Sequence, residues 1–497
     1  MKRFTLSILL AAVTAAPSFA QCTEQSLAGS GFLNLFGASV DIDGDTMVIG
    51  QTQMSTPGEA FIYQRTSPGA AWVQVASLAS ANDTEMGRAV SVSGTLAAIG
   101  SWGDGVIDGQ VYIADFSDLG GVGLQVQTLT SHLTPADRGG YGFSVSIDGD
   151  RLVVGEPFSY NNAGRVHIYD RQPDGSWLLD TRFFPNHPFN DDHDLFGYAV
   201  ELDGDFFISG SPGNLFPQGN GAGGLIIEDK NGVWDANAIW FGGYAYGSVV
   251  ALDGDHAYMG GTQDGDFLVY NGTAYQLDTA LQVAGVTSAA ISSGAAMLGL
   301  REDDTMGVDA GIALVYRYDG TDWTDTGLGF APTDVAAGNY FGHELAMDGL
   351  TVAATSRFGG AAGGEVYSYE RQGFGLCADV ASSLAGTGGL SPKLTGAGGT
   401  VVGGPVSLTL TDALPNSTGF LFLGFSAINA PFLGGVLVPS PDVTIAITTD
   451  ATGGVHLSSP YPPGGASNVP LWSQAWINDP GAPVDVSASN TPVILSL

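Results

Sequence analysis

The sequence predicts an all-β protein: a seven-bladed β-propeller closed by an N-terminal strand, followed by a small β-sandwich domain. Three observations predict it. A block of four short strand patterns recurs along most of the chain, its copies start roughly 40 to 55 residues apart, and the composition is rich in turn formers. There are 74 Gly and 24 Pro beside 44% hydrophobic residues, so many short strands fit better than helices. A sheet of four such strands cannot bury both its faces alone. The copies must therefore stack on one another, and their spacing is that of propeller blades.

Residues 141–181 show the unit most fully. Val145 and Ile147 alternate with Ser144 and Ser146, Asp148-Gly149-Asp150 supplies a tight turn, and residues 152–155 form an apolar run, as a hairpin requires. After a polar loop, residues 165–169 alternate again, and Pro173-Asp174-Gly175 turns the chain into residues 177–180. Most copies open on an aromatic residue or Met followed by Gly: Phe36-Gly37, Met86-Gly87, Tyr141-Gly142, Phe196-Gly197, Tyr246-Gly247 and Phe341-Gly342. A degenerate copy begins near Val286, which brings the number to seven.

The last copy offers only three strands, ending at residues 365–370. Residues 23–28 stand before Phe36-Gly37 as residues 73–78 stand before Met86-Gly87, so the N-terminal strand can complete the last blade and leave no free edge. Cys22 and Cys377, the two cysteines, lie at the two sides of that seam. In an exported chain a Cys22–Cys377 disulfide is the first expectation, two free buried thiols being the alternative.

These copies resemble the FG-GAP repeats, best known from the seven-bladed heads of integrin α chains. The resemblance rests on Phe36-Gly37-Ala38-Ser39-Val40, Tyr141-Gly142-Phe143-Ser144-Val145 and Phe196-Gly197-Tyr198-Ala199-Val200, and on the endings Gly155-Glu156-Pro157 and Gly210-Ser211-Pro212; it covers roughly residues 22–376. It implies a ligand face built from loops, and in many members a calcium loop between the first two strands. The matching turns here are only Asp43-Gly44-Asp45, Asp148-Gly149-Asp150, Asp203-Gly204-Asp205 and Asp253-Gly254-Asp255. They are too short to wrap an ion that wants six to eight oxygens, and Asp-Gly is the ordinary route to a positive φ at a hairpin. Calcium is disfavoured there, and no cofactor is assigned.

Residues 1–20 carry a basic start (Lys2, Arg3), an apolar run over 6–16 and a Ser18-Phe19-Ala20 exit, as a secretory signal does. The run is shorter than the roughly 20 residues of a membrane span, and no later segment is apolar enough to cross, so a secreted or cell-surface protein is expected. With 15 Lys and Arg against 50 Asp and Glu, the net charge is −35. Nucleic acid and anionic membranes are repelled by such a field, which is explained by solubility after export.

Residues 21–377 are assigned to the propeller. From residue 378 the repeat stops, charges thin out, and Gly, Ser, Thr, Pro and Val dominate. Residues 406–411, 418–425, 443–449 and 455–457 read as strands of a β-sandwich over 378–497. The ending through Trp472 and Trp476 resembles a C-terminal domain of secreted planctomycete-type bacterial proteins, which implies export or surface display.

Loops joining second to third strands, and one blade to the next, share a face. Candidate ligand residues there are Trp102, Asp104 and Asp108; Tyr160, Asn161 and Asn162; Phe216, Gln218 and Asn220; and Glu302, Asp303, Asp304 and Asp309, because rings with amides and carboxylates can grip a sugar or a peptide. Asp191, Asp192, His193 and Asp194, in a run with Asn186 and His187, form the candidate metal cluster, although Pro188 interrupts it and no His-Glu-x-x-His spacing occurs. Tyr63/Arg65, Tyr169/Arg171 and Tyr369/Arg371, like Trp72, Trp177, Trp234 and Trp323, read as packing residues. No Gly-x-Ser-x-Gly elbow or phosphate loop marks a catalytic site.

Three functions stay open, one of them a structural envelope component with no soluble ligand. The first expectation is a monomeric, non-enzymatic binding or adhesion protein that presents its loop face to an extracellular protein or glycan. The alternative is a secreted polysaccharide hydrolase or lyase, which two carboxylates about 5 to 9.5 Å apart in a deep cleft would favour.

Overall fold

A computed structural model of the chain describes residues 24–29, 34–53, 57–80, 85–103, 109–134, 139–184, 194–213, 222–242, 245–332, 335–349, 351–359, 363–370, 378–380, 384–389, 392–398, 405–424, 427–460, 470–482, 484–489 and 491–495. They fall into two compact units, Glu24–Tyr369 and a second one drawn from Glu370–Leu497. Both are built of antiparallel strands.

The first unit is a β-propeller of four-stranded sheets. In chain order, sheet one is Asn34–Asp43, Thr46–Gln53, Glu59–Gln64 and Val73–Ala79; sheet two is Ala89–Ser93, Leu96–Ser101, Gln110–Asp115 and Gln125–Thr130. Sheet three is Val145–Asp148, Arg151–Gly155, Val166–Arg171 and Trp177–Phe183; sheet four is Val200–Asp203, Phe206–Ser211, Ala222–Asp229 and Trp234–Gly242. Sheet five is Val249–Asp253, His256–Gly260, Gly265–Tyr270 and Tyr275–Leu281; sheet six is Ser288–Ser292, Ala295–Leu300, Ile312–Tyr318 and Trp323–Phe330. Sheet seven is Phe341–Asp348, Thr351–Ser356, Glu365–Glu370 and, from the start of the chain, Gln25–Ala28. The first strand of each sheet lies against that of the next, and that of sheet seven against that of sheet one. First strands therefore surround an axis.

Gln25–Ala28 pairs with Glu365–Glu370 in the register Gln25 with Ser368 and Ala28 with Glu365. Side chains continue the seam. Gln25 accepts from Trp72 N at 3.2 Å and donates Nε2 to Ala70 O at 3.0 Å, while Trp72 Nε1 donates to Ser368 Oγ at 3.0 Å. The same device recurs inside the ring, where Gln127 Oε1 accepts from Trp177 N at 3.0 Å. The N-terminal strand thus does for sheet seven what Gln125–Thr130 does for sheet two.

Apolar faces meet between sheets. Phe36, Val40, Ile42, Met47 and Ile49 of sheet one pack with Ala346, Ala353 and Val366 of sheet seven, and Ile113 and Leu129 of sheet two pack with Val145, Leu152 and Trp177 of sheet three. Each fully buried Ile, Val or Leu contributes about 1.5–3 kcal/mol, and the fourfold strand repeat sets such residues on both faces of every sheet.

The repeated glycines have one cause. Gly142 has φ +82°, and a Cβ on Gly100 of the preceding sheet would collide with the Gly142 carbonyl. The same conflict would arise at Gly155 against Gly197 and at Gly299 against Gly342. The aromatic-Gly opening and the second-strand glycine are therefore two halves of one close approach between neighbouring sheets.

In the second unit, Thr418–Gly424 lies between Val443–Thr448 and Pro470–Asn478, which pairs onward with Thr491–Leu495 and then Ala378–Val380. Lys393–Gly398, Pro405–Thr411 and Val455–Pro460 form a second sheet. Leu394, Leu408 and Leu410 of that sheet share a core with Leu421, Ile447, Ala475 and Ile477 of the first, so the two sheets pack face to face. The expected tail strands are found, with ends shifted by a residue or a few. Cys22 and Cys377 lie outside the described residues.

Candidate functional site

The axis of the propeller has two unlike ends. At one end are the turns between first and second strands. The residue before each turn accepts a hydrogen bond from a backbone N–H of the next sheet. Gly94 N donates to Asp43 Oδ2 at 2.5 Å, Gly149 N to Ser93 Oγ at 3.0 Å, Gly204 N to Asp148 Oδ2 at 2.8 Å, and Gly254 N to Asp203 Oδ2. Ser293 N donates to Asp253 Oδ2 at 2.7 Å, Gly349 N to Ser292 Oγ at 2.9 Å, and Gly44 N to Asp348 Oδ2 at 2.6 Å. The last bond returns to sheet one. The Asp-Gly turns that could have suggested calcium are thus the links of a closed ring, and their carboxylates are engaged by amides.

Deeper on the axis at this end, Asp41 Oδ2 accepts from Val92 N at 2.8 Å and Glu201 Oε2 from Leu252 N at 3.1 Å. Burial pushes the Asp41 carboxyl up to about 6, against the pull of those amides. Burial and then the charge of Asp41 push Glu201 well above the usual carboxylate range.

The other end carries the loops after second strands and before first strands. Here the residue after the opening glycine lies at the mouth of the axis. Arg88 places its guanidinium 5.1 Å from the Phe143 ring and 5.9 Å from that of Trp102, and Phe143 lies 4.8 Å from Tyr198. Trp102 packs on Phe143 and Phe158 and donates Nε1 to Glu85 at 2.8 Å. From sheet six, Arg301 reaches His343 Nδ1 of sheet seven at 3.3 Å and Glu302 at 3.2 Å. Arg357 follows the second strand of sheet seven and stacks at 5.7 Å on exposed Phe358.

Three arginines converge on one acid. Burial pushes Glu344 up to about 7 even though Arg88, Arg301 and Arg357 pull it down. His343 is held at about 3 by burial and by the same three cations, so its imidazole is neutral. Arg357 is itself lowered, by burial first and then by Arg88 and Arg301. Like charges crowd here.

A cavity of about 460 Å³ lies nearer the rim of this face, lined by Tyr160, Arg165, Asp180, Arg182, Phe184 and Leu133. Arg165 is sandwiched between the rings of Tyr160 at 4.2 Å and Phe184 at 4.6 Å. Tyr160, Asn161 and Asn162 have φ of 48°, 63° and 70°, a run of left-handed residues that costs on the order of 1 kcal/mol each. Behind them, Glu156 accepts from Ser131 Oγ at 3.0 Å and Gly139 N at 3.2 Å and faces His167 Nε2 at 2.7 Å, all in the interior. Tyr141 and Tyr169 share a 2.6 Å hydrogen bond beside them, and burial raises both phenols, Tyr169 to about 12. With Glu156 and His167 fully shielded from solvent, this pair braces the sheet instead of meeting a substrate.

The structure sorts the residues picked from sequence. Trp102 stands in the axial mouth and Tyr160 at the rim cavity, with Asn161 and Asn162 in the turn that holds it. Asp303 and Asp304 bend their own loop, accepting from Thr305 N at 2.8 Å and Asp309 N at 2.9 Å. Asp104, Asp108, Phe216, Gln218, Asn220, Asp191, Asp192 and His193 lie outside the described residues. Asp194 is buried, its carbonyl accepting from Ser211 Oγ at 2.6 Å. Among the described residues no three His, Cys, Asp or Glu side chains converge as for a metal ion. Trp72, Trp177 and Trp323 are buried, as packing residues should be.

Arg88, Arg301, Arg357 and His343 were not singled out from sequence. A signal existed. Lined up on the opening glycine, position +1 reads Ala38, Arg88, Phe143, Tyr198, Ser248 and His343, and the proline of Gly-x-Pro is replaced by Trp102, Arg301 and Arg357 in three copies.

No family model and no curated protein matches the chain. Among solved structures, it is similar to the β-propeller domain of the Trilobed protease from Pyrococcus furiosus, at 11% identity and TM-score 0.42, over 68% of this chain and 94% of that one. A putative 6-phosphogluconolactonase from Bacteroides uniformis gives 13% identity and TM-score 0.43, over 62% and 88%. A computationally designed protein gives 8% identity and TM-score 0.39, over 69% and 98%.

Proposed function

We propose that the chain is a secreted or cell-surface binding protein, an FG-GAP-type propeller whose seven sheets are its blades and whose loop face takes an extracellular protein or glycan. The observation that carries this reading is the axial mouth. Arg88, Arg301 and Arg357 come from three different sheets and gather where they repel one another, an arrangement that packing alone does not favour. Three arginines elsewhere in the ring are matched with carboxylates. Arg65 meets Asp45 at 2.7 Å, Arg151 meets Asp229 at 2.9 Å, and Arg171 meets Asp115 at 3.0 Å.

The reading of residues 1–20 as a leader supports export, and the described residues contain no helix long and apolar enough to cross a membrane. The full chain should be screened on an array of glycans and matrix proteins with substrate turnover measured in parallel. Binding without turnover, lost on Arg88→Ala, is the expected result. Turnover that disappears on mutating acidic loop residues would replace this reading with the hydrolase or lyase one.

A further inference from the structure

Resting on that reading, we propose that the axial mouth is a site for an acidic sugar, whose carboxylate or sulfate group is held by Arg88 and Arg357 while its ring lies beside Trp102 and Tyr198. The first support is a contrast within one molecule. Arg65 and Arg151 each stack on a tryptophan, Trp72 at 4.5 Å and Trp234 at 4.8 Å, and each turns the edge of its guanidinium to an aspartate. Arg88 and Arg357 are stacked on rings in the same way, yet among the described residues neither forms an ion pair within 4 Å, and Arg357 Nε is buried with no hydrogen-bond partner. A stacked guanidinium with an unmatched edge is prepared for a bidentate oxyanion, which a carboxylate and a sulfate both are.

The surroundings narrow the ligand. The acids nearby are compromised as partners: Glu85 is engaged by Trp102 Nε1, and burial raises the Glu344 carboxyl to about 7, which weakens its hold on a cation. Trp102 and Tyr198 are half-buried, so each leaves part of its ring uncovered at the mouth, and flat apolar rings suit the C–H faces of a pyranose. The chain as a whole carries −35, so a long, densely charged polymer would meet repulsion wherever it left the mouth. A short acidic oligosaccharide, with its charge confined to the arginines, avoids that repulsion. Nucleic acid and polyglutamate do not.

The test is calorimetric titration of the full chain with four probes: digalacturonate, a sulfated disaccharide, their neutral disaccharide counterpart, and triglutamate. Arg88→Gln, Arg357→Gln and Arg317→Gln, a substitution near the end of Ile312–Tyr318 away from the loop face, are compared, with melting curves to check folding. The expected result is binding of an acidic disaccharide about tenfold or more tighter than the neutral one, a loss of about tenfold for Arg88→Gln and for Arg357→Gln, and no change for Arg317→Gln. The digalacturonate and sulfate arms tell which oxyanion is preferred. Equal binding of the neutral sugar, unaffected by the two substitutions, would overturn this inference and leave a glycan-binding loop face standing. Triglutamate binding more tightly than either acidic sugar would also overturn it, in favour of an acidic protein partner. No heat from any probe would overturn the inference, while the array screen decides the broader reading separately.

Discussion

The two ends of the propeller axis are made from the same repeat and end up as opposites. At the turn end, carboxylates of Asp43, Asp148, Asp203, Asp253 and Asp348 are taken up by amides of the next sheet, two serines filling the remaining places. At the loop end, Arg88, Arg301 and Arg357 crowd around Glu344 and a neutral His343. Charge that is satisfied by backbone makes a clasp. Charge left facing its own kind is what the proposed reading assigns to a ligand, and the comparison teaches where to look for one: among the charges that the fold does not use.

The largest effect should come from breaking the clasp at its seam. Removing residues 24–28 bares the edge of Glu365–Glu370 and frees Trp72 from Gln25, so the propeller should lose on the order of 4 kcal/mol in denaturant unfolding. An unchanged midpoint would mean that the ring does not depend on this strand. Next, Asp203→Ala leaves the exposed Gly254 N to water and should cost about 1 kcal/mol, without altering ligand binding.

An effect of comparable size follows from pH. The Asp41 carboxyl holds its proton more tightly in the folded chain than in the unfolded one, since its value rises to about 6. The stabilisation it gives is therefore complete below about 3.8 and disappears as pH rises through about 6, and raised Glu201 acts in the same direction. Urea unfolding at pH 5 and 7.5 should show wild type losing on the order of 1–2 kcal/mol relative to Asp41→Asn across that interval. Parallel curves would remove the case for a strained carboxylate on the axis. Smallest of all, Arg88→Ala and Arg357→Ala should change stability by less than about 0.5 kcal/mol, because these side chains hold no sheet together. A larger loss would make the mouth a second clasp.

Much of the scaffold was legible because it is written in local chemistry. Alternating Val145 and Ile147, the Asp148-Gly149 turn and the aromatic-Gly openings each follow from a few neighbouring residues, and the missing strand of the last sheet pointed to residues 23–28. That Asp148 reaches Gly204, a sheet away, was not legible, because a turn sequence does not tell where its side chain points. The site was harder still. Trp102 and Tyr160 were visible as aromatic rings in loops, while Asp303 and Asp304, visible as carboxylates, are spent on their own loop. Arg88, Arg301 and Arg357 are far apart in sequence and become neighbours only when the ring closes.

Hydrogen exchange of the full chain, with and without digalacturonate, tests the contrast between the two ends most directly. The account predicts added protection in peptides containing Arg88, Trp102, Phe143 and Arg357, and none at Gly94, Gly204 or Gly254. Protection confined to those turn amides, or spread equally over both ends, would contradict it.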